Sequence, residues 1–316
     1  MNVLITGGAG FIGSHLTKKY IDRGDDVYVI DNLLTGNKRN IEPLSKEKLH
    51  FFEEDIRTFD YQKIPEIEIV YHLASPASPI QYKKYPIETL MTNAYGTFRL
   101  MEHAKSGAVK KIVLASTSEV YGDPLVHPQN ESYFGNVNPI GLRACYDEAK
   151  RFAEALVMSY KQKYNLDVRI ARIFNTYGPN MEVDDGRVIS NFISQILKGQ
   201  SITIYGTGKQ TRSFCYVSDM VEGIIALGQT ANLSGQVINL GNPDEKTVLE
   251  LVEIIKNLME SKGELDFKPI ETDDPKKRRP DITKAQTLLN WEPQVPLEEG
   301  LKNTITYFKE IIHSKV

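Results

Sequence analysis

The first thirteen residues constrain the fold of this 316-residue chain more than any other stretch. Residues 3–5 are a short apolar run with the character of a buried strand. The chain then breaks into Gly7-Gly8-Ala9-Gly10, and residues 11–20 carry a helical pattern. In Gly8-x-Gly10-x-x-Gly13 the glycines let backbone N–H groups approach a pyrophosphate, which then rests on the positive end of the helix. A second apolar run, residues 27–30, ends in Asp31, eighteen residues past Gly13. A carboxylate there accepts both ribose hydroxyls of an adenosine and repels a 2′-phosphate, which favours NAD over NADP. Lys38 and Arg39 are close enough in sequence to soften that preference. A glycine triplet alone is weak. Strand, glycines, helix, strand and acid in register make a dinucleotide site.

The pattern continues beyond this unit. Strand-like runs at 3–5, 27–30, 50–53, 69–73, 111–115 and 167–173 alternate with amphipathic stretches. Residues 88–104 and 147–164 are the clearest of these, the second with Phe152, Leu156, Tyr160 and Tyr164 on one stripe. Such alternation predicts an α/β fold, a doubly wound parallel-sheet Rossmann domain with helices on both faces. After Gly178-Pro179 the alternation is lost, and a smaller α/β substrate-binding domain is expected there. The apolar run 237–240 follows a helical pattern at 220–227 and is placed to return to the first sheet. The expected division is 1–176 plus 215–242 for the NAD-binding domain, and 177–214 plus 243–316 for the other.

Composition narrows the class. Hydrophobic residues are 41% and charged residues 25%, with a net charge of −3, so no global field draws the chain to nucleic acid or an anionic membrane. Two cysteines, Cys145 and Cys215, are too few for a disulfide framework and suit a reducing compartment. No apolar run has the length of a membrane span, and no signal peptide is read at the start, so a cytoplasmic protein is expected. The six histidines are scattered without metal-ligand spacing, and no metal is expected.

Two further segments carry chemistry. Tyr146 and Lys150 are four apart on a predicted helix, hence on one face. The ammonium is expected to lower the phenol toward neutrality, so that Tyr146 can take a proton from a sugar hydroxyl while hydride leaves the same carbon. A surface Tyr-Lys pair is the plain alternative, and the cofactor fingerprint in the same chain argues against it. Ser116-Thr117-Ser118-Glu119 follows a strand directly, at the end where parallel sheets bind ligands. A turn of capping hydroxyls would not need Glu119. Lys276-Lys277-Arg278-Arg279 is a short basic run whose plain reading is a solvated loop.

Together these segments resemble the extended short-chain dehydrogenase/reductases and, within them, the UDP-glucuronate decarboxylases. The resemblance runs through His72-Leu-Ala-Ser-Pro-Ala-Ser-Pro79, Ser116-Thr-Ser-Glu-Val-Tyr-Gly-Asp-Pro124, Gly135-Asn-Val-Asn-Pro-Ile-Gly141 and Cys145-Tyr-Asp-Glu-Ala-Lys150. It continues in Ala171-Arg-Ile-Phe-Asn-Thr-Tyr-Gly-Pro179, Asp184-Asp-Gly-Arg-Val188, Gly208-Lys-Gln-Thr-Arg-Ser-Phe214, Tyr216-Val-Ser-Asp219 and Asn239-Leu-Gly-Asn-Pro243. It implies that Thr117, Tyr146 and Lys150 are the catalytic triad, with Glu119 and Arg212 as the decarboxylase-specific pair. For NAD it implies contacts from Gly7, Gly10, Phe11, Ile12 and Gly13, then Asp31, Asn32 and Gly36. Asp55, Ile56, Leu73, Ala74 and Ser75 follow, together with Tyr146 and Lys150. For UDP-glucuronic acid it implies Asn93 and Gln210, Asn175 and Arg187 near the diphosphate or cofactor, Tyr205 near uracil, Arg212, and Arg278 on the diphosphate. It also implies a homodimer in which 88–104 and 147–164 of each subunit form a four-helix interface.

The chemistry is consistent with that implication. Oxidising C4 of a glucuronic acid makes a β-keto acid, which loses CO2 as its electrons flow into the carbonyl; C5 is then protonated and C4 reduced again, giving UDP-xylose. Dehydratases of the same group carry Asp-Glu where this chain has Ser118-Glu119, and Ser118 cannot protonate a leaving hydroxyl efficiently. The 4-epimerases usually lack the Glu119 carboxylate. A UDP-sugar 4-epimerase, and a decarboxylase that releases the 4-keto-pentose, remain as alternatives. A non-catalytic NAD-sensing scaffold would not need all five of Thr117, Glu119, Tyr146, Lys150 and Arg212. Cys145 points to a different helix face from Tyr146 and is read as packing.

Overall fold

The computed structural model of the protein describes residues 1–269 and 277–313; Lys276 of the basic run lies outside them. Seven strands form one parallel sheet: β1 (Asn2–Thr6), β2 (Asp26–Ile30), β3 (Leu49–Phe52), β4 (Ile69–His72), β5 (Ile112–Thr117), β6 (Val168–Ile173) and β7 (Val237–Leu240). Their order is β7-β6-β5-β4-β1-β2-β3. The chain builds outward from β1 to β3, then crosses to β4 on the other side. The expected return of 237–240 is observed, with Val237 opposite Ile170 and Leu240 opposite Ile173.

The central strands are buried on both faces, which explains their continuous apolar runs. Alternate residues feed two cores. Val3, Ile5, Val27 and Val29 pack on one side, and Leu4, Ile30, Val70 and Leu114 on the other. Helix α1 (Phe11–Asp22) covers the first core through Leu16 and Tyr20. Helix α2 (Ala144–Tyr164) covers the second. Its buried stripe is Tyr146, Ala149, Lys150, Ala153, Val157 and Tyr160, so the Tyr-Lys pair lies on the core-facing side.

The expected helix over 88–104 is present, widened by π turns. It runs as helix Pro86–Met91, a π turn Thr92–Gly96, helix Thr97–His103 and a second π turn Ala104–Ala108. The Asn93 amide donates to its own helix at Thr89 O (2.8 Å), and Gly96 packs against Ile56. A side chain competing for the helical ladder is a known cause of such local widening.

A third core lies beyond the carboxyl ends of the strands. It is built by α3 (Val188–Leu197), α5 (Val248–Leu258) and α6 (Leu297–His313), with Phe192, Leu251 and Phe308 at its centre. Helix α4 (Val217–Gln229) belongs to the first core, as do Ile282, Ala285 and Trp291. In the region of the third core Thr211–Ser213 pairs with Glu245–Thr247 and with Lys277–Arg278, which brings Arg212 opposite Arg278. No helix among the described residues is long and apolar enough to cross a membrane.

Candidate active site

One cavity of about 580 Å³ opens at the carboxyl ends of the strands, where β1 and β4 diverge to opposite sides. In open parallel sheets ligands bind at this switch point. Gly7 has φ +76°, and a Cβ there would lie 2.8 Å from Ala74 N; a Cβ on Gly13 would run into Gly7 O. These two glycines keep the turn tight beside the first turn of α1. Gly8 has a different task from the one its place in the triplet suggests. Its Cβ would meet the Val29 side chain at 2.7 Å, so Gly8 allows packing against the sheet.

At the end of β2, Asp31 accepts the N–H groups of Ala9 (3.0 Å) and Leu33 (2.9 Å). Burial pushes its carboxyl up, and the two N–H donors oppose that. Gly36 leaves room at this carboxylate: a Cβ would sit 2.8 Å from Asp31 Oδ1. Lys38 pairs with Glu53 (3.5 Å) and Arg39 with Glu182 (3.2 Å). Both cations are engaged by carboxylates, so the softening of the NAD preference expected from them is not supported. Asn32 donates to Asp55 (2.9 Å), which Arg57 grips through Nε and Nη2 at 2.9 and 2.7 Å. Phe11, Ile12, Ile56, Leu73, Ala74 and Ser75 complete this wall. A glycine cradle at a helix start with a buried carboxylate at the second strand fits a dinucleotide without a 2′-phosphate.

The opposite part of the cavity carries the reactive groups. Thr117 ends β5, and its hydroxyl accepts the Glu119 N–H (3.2 Å), capping the turn Ser118–Tyr121. The same hydroxyl is hydrogen-bonded to the Tyr146 phenol. Lys150 Nζ donates to Ala115 O (2.8 Å) and lies 5.9 Å from the Tyr146 ring centroid. Burial pulls Lys150 down to about 7, and Glu154 opposes this. The expected lowering of Tyr146 is not observed. Burial pushes its phenol up and outweighs the Thr117 bond that eases it.

Glu119 sits among arginines. Arg143 Nη2 donates to its Oε2 at 2.7 Å and Arg278 Nη2 at 3.4 Å. Burial would raise this carboxyl, but Arg278, Arg143 and Arg212 together hold it at about 2. The arginine cluster thus favours the ionised form of Glu119. Arg278 is buried and also donates to Ser118 O and Gly122 O. Arg187 is held by Asp185 through Nε (2.7 Å) and Nη2 (2.6 Å) and lies over the Phe11 ring.

The cavity gathers every expected site residue except one. Thr117, Glu119, Tyr146, Lys150 and Arg212 share its wall with Asn175, Arg187, Tyr205, Gln210 and Arg278. Asn93 lies off the wall, buried, and its amide donates to Ser75 Oγ (2.8 Å). Sequence reasoning missed three neighbours. Tyr82 stacks on Tyr146 with ring centroids 5.1 Å apart and planes 5° apart, and its buried hydroxyl has no partner among the described residues. Arg143 lies one helical turn before Tyr146, a spacing that could have marked it. Asp147 is buried, and burial, reinforced by Glu119, pushes it up to about 8.

Comparison with known proteins agrees with this geometry. The family model described as GDP-mannose 4,6 dehydratase matches residues 4–304. UDP-glucuronic acid decarboxylase 1 of Danio rerio is 53% identical over 313 residues, covering 98% of this chain and 73% of that protein. This chain belongs to the UDP-glucuronic acid decarboxylase family. UDP-glucuronic acid decarboxylase 1 of Arabidopsis thaliana is 50% identical over 99% of this chain and 71% of its own length. Among solved structures, the UDP-glucuronic acid 4-epimerase of Bacillus cereus, in complex with UDP-glucuronic acid and NAD, superposes with a TM-score of 0.90. It is 30% identical, over 98% of this chain and 100% of that one. The decarboxylase family thus shares its fold with epimerases.

Proposed function

We propose that this protein converts UDP-glucuronic acid to UDP-xylose and CO2 through a C4-keto intermediate, with NAD as a cofactor regenerated in each cycle. The observation that carries this reading is Glu119. It is an ionised carboxylate ringed by guanidinium groups, in the turn whose cap, Thr117, bonds the Tyr146 phenol.

Bound NAD would accept hydride from C4 and later return it. The positive charges of Lys150 and of the bound nicotinamide would favour the phenolate against burial, and the Tyr146 oxygen then takes the C4 hydroxyl proton, assisted by Thr117. In the β-keto acid the C5–C6 bond breaks, CO2 leaves, and the electron pair moves onto O4. Tyr146, now protonated, and Thr117 stabilise that oxyanion. Arg212 balances negative charge on the sugar. Glu119 stays ionised and is a poor proton donor, so we assign it to orienting the ring and the water that protonates C5. Tyr146 finally returns its proton to O4 as C4 is reduced.

Arg187 and Asn175 are proposed at the diphosphate, Tyr205 at the base and Gln210 at the nucleotide. Arg278, whose guanidinium is taken up by Ser118, Gly122 and Glu119, suits a role in holding the Glu119 turn as well as the proposed diphosphate contact. The two-domain division read from the sequence is retained, with Ile282–Trp291 joining the first domain because it shares that core. A homodimer and a cytoplasmic location complete the reading. Two unbridged cysteines suit the second.

The test is Glu119→Ala and Arg212→Ala. Each variant is expected to fold and bind NAD while decarboxylation falls by roughly 100-fold or more, the scale of losing an electrostatic stabiliser. Wild-type turnover in either would remove that residue from the mechanism.

A further inference from the structure

Three consecutive residues of β5 are tied to three successive turns of α2. Thr117 bonds Tyr146, Ala115 O accepts Lys150 Nζ at 2.8 Å, and Ser116 Oγ donates to Glu154 Oε1 at 2.6 Å. Tyr146, Lys150 and Glu154 are four residues apart in turn and share one face. The first two act in the proposed reaction. Glu154 does not border the cavity, and the mechanism leaves it unused.

It is nevertheless firmly held. Arg172 of β6 donates Nε to Oε1 (3.0 Å) and Nη2 to Oε2 (2.8 Å), a bidentate clamp on side chains only 12–13% exposed. Arg172 Nη1 reaches on to the Tyr121 hydroxyl (3.0 Å), and the guanidinium lies 4.9 Å over the Tyr121 ring. Tyr121 closes the turn that carries Glu119. The clamp therefore joins the helix of the Tyr-Lys pair to the turn of the decarboxylating pair.

The groups facing Lys150 can be named element by element. On α2 they are Tyr146 and Glu154. From β4 comes His72, which burial keeps neutral. Arg172 stands behind Glu154. The carboxylate that supports the Lys150 charge is Glu154.

We propose that Glu154 is a positioning residue for Lys150. Fixed by Ser116 and Arg172, it keeps the ammonium charged and seated on Ala115 O. The inference rests on the assignment of Lys150 as a catalytic residue.

The experiment is the pH profile of UDP-xylose formation by the full-length enzyme supplied with NAD and UDP-glucuronic acid. In Glu154→Gln the basic limb, where Lys150 loses its proton, is expected to move down by about one pH unit, the shift of one nearby charge. KM for UDP-glucuronic acid is expected to stay within about twofold, because Glu154 does not border the cavity. The double variant Glu154→Gln/Arg172→Gln leaves no unpaired buried guanidinium, so it guards against misfolding; with the cation gone as well, a smaller shift in the same direction is expected. Glu154→Asp keeps the charge and should restore the limb toward the wild-type position. An unshifted limb in the folded Gln variants would overturn the inference and leave Glu154 as a strut between strand and helix. Lys150→Met separates the two claims. If it retains turnover, the catalytic assignment of Lys150 fails. If it is inactive while Glu154→Gln keeps the wild-type limb, only the role of Glu154 fails.

Discussion

At Tyr146 local sequence and tertiary surroundings pull in opposite directions. Four residues from an ammonium, a phenol is expected to acidify. Inside the fold burial dominates. The sequence shows which residues meet on a helix face; it does not show how dry that face becomes. His72 makes the same point with a measurable consequence. It is fully buried between Thr6 (2.7 Å) and Thr97 (2.9 Å), and burial pulls its pKa from 6.5 to about 3. Between those values the unfolded chain binds a proton that the folded protein does not. Stability due to His72 is therefore intact above about pH 6.5 and is lost as pH falls toward 3, by up to about 1.4 kcal/mol per pH unit. Urea unfolding at several pH values should show a flatter acid slope for His72→Gln than for wild type. Equal slopes would mean that His72 is not the group responsible.

At the scale of elements the sheet was legible and its joints were not. All seven strands could be read from apolar runs; the central ones, buried on both faces, leave uninterrupted signals, while β3 at the edge is half-buried. The helix over 88–104 was legible and its π turns were not, because Asn93 and Gly96 fit helical spacing whatever their contacts with Thr89 and Ile56. Tyr82 reached the site through tertiary packing and carries no motif of its own. Arg169 is similar. It lies in β6, is buried, and donates to Leu227 O (2.6 Å), Gly228 O (3.1 Å) and Thr230 O (2.6 Å) at the end of α4. A cation there satisfies carbonyls that the helix cannot and sits at the negative end of its dipole. Arg169→Met should cost about 3 kcal/mol, seen as a lower urea midpoint with an unchanged slope. A loss below about 1 kcal/mol would show that those carbonyls find other donors.

At the scale of the whole molecule two surfaces matter: one open and one enclosed. Ile87, Met91, Tyr95 and Phe98 on the 86–103 run, with Phe152 on α2, are 41–64% exposed. Apolar side chains gathered on packed neighbouring helices mark a contact surface, and the proposed homodimer would cover them. Light scattering should give a dimer for wild type and a monomer for Phe98→Asp/Phe152→Asp; a monomeric wild type would contradict the proposal. The enclosed surface is the cavity, whose two ends the sequence had already separated into cofactor and sugar residues. The most direct test of its chemistry is to mix the purified protein with UDP-glucuronic acid and NAD and follow the sugar nucleotide by mass spectrometry and NMR. UDP-xylose formed with loss of CO2 and without accumulating NADH is the predicted result. An unchanged mass with inverted C4 would contradict it and make the protein an epimerase, with Glu119 and Arg212 in other roles.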